Sequence, residues 1–470
     1  MTANHPPPSI IDAPVKVKGA KKVLVIGAGA AGMAAAWSLA RFPEKFIVEV
    51  WDPAPCAGGV ATSVDVLDGV VVNDGVQGGA TSYRNTLLMH EKLGAKPTPV
   101  HMKISFGKGQ DQWGNYGTKT DLVRRLQPEI KRFEKVLRWI GKLEPLFIGL
   151  PISLVLKTFR FSKDFQDKMV LPLVALFFGT GNQTGRVSSV LFARVFTDPH
   201  LRLFDYDAEL LLSQTPQMFA FQPLREIYQK YVDAIAADFH FGRQAVSVVR
   251  NKDGVEVRDA SGEAKVFDEV IFAGNAEAML KILTKPSWME KRVLGNVQYF
   301  NDITITHTDL DYMKRHYDID LNDTERNDQY FIKTYESDSS KVEMSFLLNN
   351  YQPHVRGSAL PIFQTIFLDD ERQDLWTINE IQEDKILLRK WWRQFAHTWK
   401  HFLFTVPLMR FLQGKQHSWY CGAYTLANTH EIATISGLAV AERLGAPYPF
   451  RQDPLAALQF DIYMKYLHGK

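Results

Sequence analysis

The apolar positions near the start of the chain form one short continuous run that ends in glycine. Val23–Ile26 are four consecutive apolar residues, and Gly27-Ala28-Gly29-Ala30-Ala31-Gly32 follows them. Residues 33–40 are then mostly alanine or larger apolar residues. A β-branched apolar run is typical of a strand buried on both faces, and alanine favours a helix. The pattern therefore predicts a parallel strand, a glycine-rich turn and a helix.

Each residue type in this turn suits a dinucleotide. Gly27 permits the tight turn, Gly29 lets a pyrophosphate approach the backbone, and Gly32 lets the helix approach the strand. Ala30 and Ala31 begin the helix, where free N–H groups and the helix dipole favour phosphate.

A second apolar run completes the pattern. Phe46–Trp51 reads as a strand and ends at Asp52, which lies 20 residues after Gly32. An acidic residue about 20 residues after the glycines binds ribose hydroxyls in such sites. We therefore predict a dinucleotide site. The alternative is a βαβ unit that holds no ligand, with Asp52 as a surface turn residue.

The rest of the chain predicts an α/β fold with two domains, one of them discontinuous. Residues 100–235 are mainly helical in pattern, with Asp121–Leu143 and Phe165–Phe178 as examples. A hairpin (244–250 and 254–257) and a strand that ends at Ala273-Gly274 then return to the first domain. The predicted divisions are a flexible lead (1–20), a cofactor domain (21–100, 236–290 and 414–446), a substrate domain (101–235 and 291–413) and a C-terminal extension (447–470).

Composition narrows the class of protein. The chain has 470 residues, of which 46% are hydrophobic and 23% charged, and this is ordinary for a globular protein. A net charge of +3 is too small to indicate a nucleic-acid partner. Cys56 and Cys421 cannot form a disulfide framework, and we find no His/Cys metal cluster. We expect a cytoplasmic protein without a metal, and the oligomeric state stays open.

Two segments leave a membrane contact open. Leu143–Leu156 is the most apolar stretch, but prolines and a glycine interrupt it, so it predicts either a buried segment or a surface that dips into lipid. Ile386–Leu412 mixes aromatic and basic residues, which is compatible with core packing or with a position on a membrane surface.

The order of motifs resembles the FAD-containing amine oxidase superfamily. That order is GxGxxG, an acid after the second strand, a Gly-Gly pair at Gly58-Gly59, an Asp-Gly turn at Asp74-Gly75, and a final strand and helix. The resemblance implies a glutathione-reductase-type Rossmann domain, an inserted α+β substrate domain, and noncovalently bound FAD. It adds these cofactor contacts to those of the first turn: Gly58, Gly59, Val60, Ala61, Thr62, Val246 through its backbone, Ala273, Gly274, Gly422, Thr434 and Ile435.

The final segment resembles a narrower branch, the predicted NAD/FAD-binding proteins associated with cyclopropane-fatty-acid synthases. Trp419–Tyr424, His430-Glu431 and Ser436–Ala441 carry this resemblance. The chain departs from the branch at Gln77-Gly78-Gly79-Ala80, where the branch tends to have Phe-Asn. We expect these glycines to open space beside the flavin ring or to loosen a loop.

Three side chains are predicted to act on a substrate. His307 ends a predicted strand where related amine oxidases place a lysine, and a hydrogen-bonded histidine at a strand end is the alternative. We expect the last helix to begin near Thr434 and His430 to lie in the loop before it. The alternative is that His430 caps this helix together with Glu431. Tyr424 is expected to form one side of an aromatic wall, or to be ordinary core.

The leading interpretation is an FAD-dependent oxidoreductase or isomerase that moves a hydride between flavin N5 and an apolar small-molecule substrate, such as a fatty-acyl chain or a polyene. An amine or amino-acid oxidase is the first alternative, although Tyr424 offers only one member of the usual aromatic pair. A noncatalytic FAD-binding scaffold or sensor is the second alternative.

Overall fold

The computed structural model describes residues 19–198, 203–323 and 325–470, so most of the predicted flexible lead lies outside the described residues. The strands, in chain order, are β1 (Lys21–Ile26), β2 (Phe46–Asp52), β3 (Ser63–Leu67), β4 (Val70–Asn73), β5 (Gly78–Ala80), β6 (Thr98–His101), β7 (Ile104–Phe106), β8 (Trp113–Gly114), β9 (Gln217–Ala220), β10 (Asp238–Phe241), β11 (Ala245–Asn251), β12 (Gly254–Asp259), β13 (Ala264–Phe267), β14 (Glu269–Phe272), β15 (Tyr299–His307), β16 (Tyr330–Thr334), β17 (Val342–Leu347), β18 (Phe363–Phe367), β19 (Ile386–Phe395) and β20 (Ser418–Tyr420).

The helices are α1 (Ala30–Ala40), α2 (Arg84–Lys92), α3 (Asp121–Lys142), α4 (Glu144–Phe147), α5 (Ile152–Thr158), α6 (Leu171–Phe178), α7 (Ser189–Thr197), α8 (Leu224–Ala234), α9 (Ala276–Ile282), α10 (Trp288–Leu294), α11 (Leu310–His316), α12 (Leu348–Tyr351), α13 (Trp399–Phe404), α14 (His430–Leu444) and α15 (Pro454–His468). A π-helical turn, Phe165–Val170, leads into α6. No helix among the described residues is long and apolar enough to cross a membrane.

A five-stranded parallel sheet forms the centre of the cofactor domain. Its order is β10-β2-β1-β14-β20, so the strands that follow β1 in the chain lie on both sides of it. Ligands bind such sheets at the carboxyl ends of the strands, where the order reverses. The predicted strand, turn and helix over residues 23–40 are confirmed, and so is the return of the chain to this sheet after the inserted block.

A seven-stranded mixed sheet forms the substrate domain. Its order is β19-β15-β18-β17-β16-β7-β8, and helices α3, α5, α6 and α7 pack in a second apolar core beside it. The first ten residues of the segment 386–412 form the edge strand β19, and α13 and the 3₁₀ helix Val406–Phe411 follow it. The predicted α+β character of this domain is confirmed.

Two helices join the cofactor-domain core although the sequence prediction placed them elsewhere. Tyr228 and Tyr231 of α8, and Phe460 and Tyr463 of α15, are buried in the same core cluster as β1 and α1. The division at residue 235 therefore separates α8 from the core in which it packs, and the C-terminal extension is part of that core.

Candidate functional site

The turn after β1 has no room for larger side chains. Gly27 has a φ of +113°, and a Cβ atom there would lie 2.9 Å from the Ala273 carbonyl oxygen. A Cβ atom at Gly32 would lie 1.8 Å from the Gly27 carbonyl oxygen, so the helix touches the turn directly. No described side chain caps the N-terminus of α1, and its first turn has no acidic residue. The backbone N–H groups at the start of α1 therefore have no side-chain partner among the described residues, and the binding of an anion by Ala30 and Ala31 stays a prediction.

Asp52 holds the glycine-rich turn in place. Its Oδ2 accepts a hydrogen bond from the Ala28 N–H at 2.6 Å, and its Oδ1 accepts one from the Ala54 N–H at 2.8 Å. A carboxylate has about four acceptor positions, so two remain for ribose hydroxyls. Asp52 therefore shapes the turn, and its contact with a ribose stays a prediction.

The Gly58-Gly59 segment lies directly on the turn. The Gly58 N–H donates to the Ala28 carbonyl oxygen at 2.9 Å, and the Gly59 Cα lies 3.9 Å from where a Cβ of Gly29 would be. Both glycines have positive φ, +129° and +63°. A second segment of the chain, distant from the first turn in sequence, thus borders the same site.

The residues after this pair also lie in this region. Val60 is exposed and Ala61 is buried. The Thr62 hydroxyl donates to Asp74 Oδ1 at 2.7 Å, and the Lys390 ammonium donates to Asp74 Oδ2 at 2.6 Å. Asp74 and Lys390 therefore join the cofactor domain to β19, a contact that the sequence prediction missed.

Small residues from a third part of the chain complete this edge of the sheet. Ala273 and Gly274 follow β14 and are partly exposed, as are Gly27, Gly29 and Ala30. Val246 has no cross-strand partner because a β-bulge separates Ala245 from Ser247, and its side chain is largely exposed. Accessible backbone along the carboxyl edge of a parallel sheet fits an extended dinucleotide.

The last helix begins earlier than expected. Helix α14 starts at His430, and the Thr429 side chain caps it by accepting a hydrogen bond from the Ile432 N–H at 3.1 Å. Thr434 and Ile435 are buried in its second turn, so their N–H groups bond within the helix. The expectation that this helix begins near Thr434 is therefore wrong, and a cofactor contact of Thr434 and Ile435 stays a prediction. Gly422, whose N–H donates to the Ser436 hydroxyl at 2.8 Å, does lie beside this helix.

His430 is the first residue of α14 and not part of the preceding loop. Its Nε2 lies 2.8 Å from the Tyr228 hydroxyl, and its Nδ1 lies 3.3 Å from the Thr86 hydroxyl. Burial lowers the pKa of this imidazole to about 4. The neighbouring Glu431 accepts hydrogen bonds from the N–H groups of Asn85 and Thr86 at the start of α2. The pair connects α14 to α2 and α8, and a catalytic role for His430 stays a prediction.

His307 lies on the far side of the seven-stranded sheet. It packs with Tyr312 and Phe363, its Nε2 lies 2.9 Å from the Thr365 hydroxyl, and its Nδ1 accepts the Asp309 N–H at 3.2 Å. Burial lowers the pKa of His307 to about 3. The adjacent Thr306 points the other way, because side chains alternate along a strand. His307 is therefore hydrogen-bonded and packed at the end of its strand, and a catalytic role for it stays a prediction.

The Tyr424 ring lies close to Gly422, because a Cβ atom at position 422 would be 3.0 Å from the Tyr424 ring. It is buried, and its hydroxyl has no hydrogen-bond partner among the described residues. Burial raises the pKa of this hydroxyl well above its ordinary value. A buried hydroxyl without a partner is free to bond a ligand, so Tyr424 stays a candidate.

A cluster of side-chain amides connects the two domains and was not found from the sequence. The Asn73 N–H donates to Gln352 Oε1 at 2.9 Å, and Gln352 Nε2 donates to the Asn73 carbonyl oxygen at 3.0 Å. Gln77 donates to Gln364, and Gln364 donates to the Thr306 hydroxyl at 3.3 Å. Gln364 and Thr306 thus mark the face of the sheet that meets the cofactor domain.

The glycines at 78 and 79 do not open space. A Cβ atom at Gly78 would lie 2.0 Å from the Phe219 carbonyl oxygen, because β5 pairs with β9. A Cβ atom at Gly79 would lie 2.5 Å from the Tyr83 ring. The expectation of a loose or open loop is wrong, since both positions are packed against β9 and Tyr83.

One group of possible metal ligands does form at the edge of the parallel sheet. Glu49, Asp238 and His240 each place a ligand atom within 4.8 Å of the others. The Lys265 ammonium lies 3.2 Å from Glu49 and already supplies a positive charge there. The sequence did not reveal this group because its members lie on different strands.

The chain is a two-domain α/β protein whose first domain has a Rossmann-like fold, as the sequence predicts. Residues 25–93 match the family of NAD(P)-binding Rossmann-like domains. No curated protein matches the chain by sequence. The narrower resemblance to proteins associated with cyclopropane-fatty-acid synthases stays a prediction.

Several solved structures share the fold over nearly the whole chain. A protein from Exiguobacterium sp. 255-15, provisionally described as a protoporphyrinogen oxidase, has a TM-score of 0.64 at 12% identity, over 90% of this chain and 98% of its own. Cyclohexylamine oxidase from Brevibacterium oxydans IH-35A has a TM-score of 0.64 at 12% identity, over 90% and 99%. The CLA-producing fatty acid isomerase from P. acnes has a TM-score of 0.60 at 14% identity, over 90% and 98%.

Proposed function

We propose that the protein is an FAD-dependent oxidoreductase or isomerase that acts on an apolar substrate. The observation that carries this proposal is the meeting of three segments, Gly27–Gly32, Gly58-Gly59 and Ala273-Gly274, at the carboxyl edge of one parallel sheet. The shared fold with an amine oxidase and a fatty acid isomerase supports FAD as the dinucleotide. FAD, when bound, supplies hydride transfer at its N5 atom.

The residues of this chain would hold FAD without a covalent bond. The α1 N-terminus and Gly58-Gly59 would bind the pyrophosphate, Asp52 the ribose, and the Val246 backbone the adenine. Cys421, next to Gly422, is fully buried, and burial raises the pKa of its thiol above the ordinary value. A neutral buried thiol is a poor nucleophile, which favours noncovalent binding.

The sheet face that meets the cofactor domain favours an apolar ligand. Phe346 and Ile366 lie on the central strands β17 and β18, on the same face as Gln364, and both are partly exposed. Tyr330 stacks on Phe346 with ring centroids 4.1 Å apart. Apolar side chains left partly accessible inside a domain are typical of the lining of a ligand cavity. Gln364 would add a polar contact that orients the ligand.

Tyr424 is the ionisable side chain that this chain offers for proton handling. Its raised pKa keeps the hydroxyl protonated near neutral pH, so it would donate a hydrogen bond rather than accept a proton. The imidazoles of His307 and His430 are fully occupied by hydrogen bonds within the protein. We therefore propose that the chain positions and shields its substrate more than it transfers protons.

The test is anaerobic reduction of the purified protein after reconstitution with FAD. We expect the visible absorbance of bound flavin to bleach with an unsaturated fatty acid, or the double bond of that fatty acid to move without oxygen uptake. Phe346→Ala should raise KM for the fatty acid about tenfold or more, since covering a phenylalanine side chain with an apolar ligand contributes about 1.5–3 kcal/mol. Phe42→Ala, a change of another partly exposed phenylalanine, two residues after the end of α1, is the control.

Three other results would each replace this proposal. Bleaching by benzylamine or putrescine with release of peroxide would make the protein an amine oxidase. Bound flavin that no substrate reduces would indicate a scaffold or sensor. Protein that binds no FAD at all would remove the basis of the proposal.

A further inference from the structure

Exposed apolar side chains gather on a group of neighbouring helices and turns that includes α4, α13 and α15. The most accessible are Leu146 on α4, which is 69% exposed, and Tyr466 on α15, which is 58% exposed. We call the following six residues the apolar surface: Leu143, Leu146, Leu403, Phe411, Ile462 and Tyr466. Large exposed apolar side chains are ordinary when single, but a group of them marks an interaction site.

Contacts between the elements show that this surface is continuous. A Cβ atom at Gly149 would lie 3.5 Å from Leu403 Cδ2, so the chain after α4 touches α13. The 3₁₀ helix Val406–Phe411 packs against both α13 and α15. Arg194 interacts electrostatically with Tyr466 and binds Glu144 of α4 through two hydrogen bonds of 2.8 and 2.7 Å. Segments from three parts of the chain therefore form one face.

The charge around the apolar surface is positive. Glu144, the acidic residue of its first segment, is neutralised by Arg194. Five cations on the same or adjoining elements have no carboxylate partner in the described part of the chain: Lys142, Lys157, Lys400, Arg410 and Lys465. Arg410 lies over Phe411, 4.7 Å from the ring centroid, and Lys465 lies beside Tyr466. Such an arrangement is complementary to a lipid surface, because the cations can contact the phosphates while the apolar side chains contact the acyl chains.

We propose that this surface docks the protein on a bilayer that contains anionic lipid. The apolar side chains would enter the interface between headgroups and acyl chains, and the five cations would face the phosphates. Leu143 and Leu146 belong to the segment for which the sequence left burial or lipid contact open. The docking depends on surface residues alone and not on turnover, so it stands or falls separately from the proposed reaction.

The test is sedimentation of the full-length protein with vesicles of phosphatidylcholine, with and without phosphatidylglycerol. Binding should require the anionic lipid and weaken as salt is raised. Leu146→Glu with Phe411→Glu, and separately Lys142→Gln with Lys465→Gln, should each lower the vesicle-bound fraction about tenfold or more. Val266→Glu and Lys252→Gln change exposed residues elsewhere and should leave binding unchanged.

Melting curves of all variants should match, because the substituted side chains are exposed. Failure of the unsubstituted protein to sediment with either vesicle would overturn the proposal. Binding that ignores lipid charge and both pairs of substitutions would overturn it as well. A dimer in light scattering that Leu146→Glu dissociates, without vesicle binding, would make this face a contact between two copies instead.

Discussion

Gly437 of α14 lies so close to Ala31 of α1 that a Cβ atom at position 437 would be 2.1 Å from the Ala31 carbonyl oxygen. The two helices that border the dinucleotide site are therefore held together by direct backbone packing. The same Ala31 belongs to the first turn of α1, whose N–H groups we propose to bind the pyrophosphate. The geometry of the turn and the position of the last helix are thus linked.

Gly437→Ala should force these helices apart. Overpacking of a close contact costs about 1–3 kcal/mol, so we expect a lower melting temperature and weaker FAD binding. Gly357→Ala is the control, since a Cβ there meets nothing within 4 Å. Thermal melts with and without FAD give the measurement. Equal melting temperatures for the two variants would contradict the close packing of α1 and α14.

Asp52→Asn should weaken dinucleotide binding more than it weakens the fold. The amide that replaces Oδ2 cannot accept the Ala28 N–H, and it leaves one ribose acceptor fewer. Loss of such charged hydrogen bonds costs about 1.5–3 kcal/mol, so the Kd for FAD should rise about tenfold or more. Fluorescence titration of the apoprotein with FAD measures this. Asp253→Asn, in the exposed turn between β11 and β12, should bind FAD as the unsubstituted protein does.

His90→Phe should reduce the loss of stability in acid. Neither ring nitrogen of His90 has a hydrogen-bond partner in the described structure, and burial together with His430 holds its pKa well below the ordinary value. The folded protein therefore keeps this imidazole neutral, whereas the unfolded chain protonates it below about pH 6.5. Its contribution to stability is fully present above that pH and is lost as the pH falls, by about 1.4 kcal/mol per pH unit.

Urea unfolding at several pH values between neutral and mildly acidic measures this effect. As the pH is lowered, the free energy of unfolding of His90→Phe should fall less steeply than that of the unsubstituted protein. The difference between the two slopes should correspond to the uptake of one proton. His101→Phe, at an exposed position of β6, should not change the slope. Parallel slopes for all three proteins would show that His90 is protonated in the folded state.

The sequence correctly predicted those elements that are formed by residues close to one another along the chain. The strand, turn and helix around Gly27–Gly32, the hairpin of β11 and β12, and helix α3 all follow from residues close in sequence. The start of α14 also had a local signal, because Thr429 stands three residues before Ile432 and caps the helix. The alternation in β15 likewise places His307 with the isoleucines and apart from Thr304 and Thr306.

Contacts between distant residues had no such signal. Gly78 is tight because of Phe219, which lies far along the chain, and nothing around Gly78 shows that β9 will pair with it. The same holds for the meeting of Asn73 with Gln352, and of Asp74 with Lys390. These contacts depend on how the two domains pack against each other. The residue pattern within one segment does not show that packing.

The amide cluster of Asn73, Gln77, Gln352 and Gln364 has a consequence for how the molecule comes apart. Neutral amides neither take up nor release protons, so this seam keeps its bonding at every pH at which the protein folds. The imidazoles of His90 and His430 in the cofactor domain, and that of His307 in the substrate domain, are in contrast buried with lowered pKa values. Acid should therefore loosen the interior of each domain while the amide cluster between the two domains keeps its hydrogen bonds.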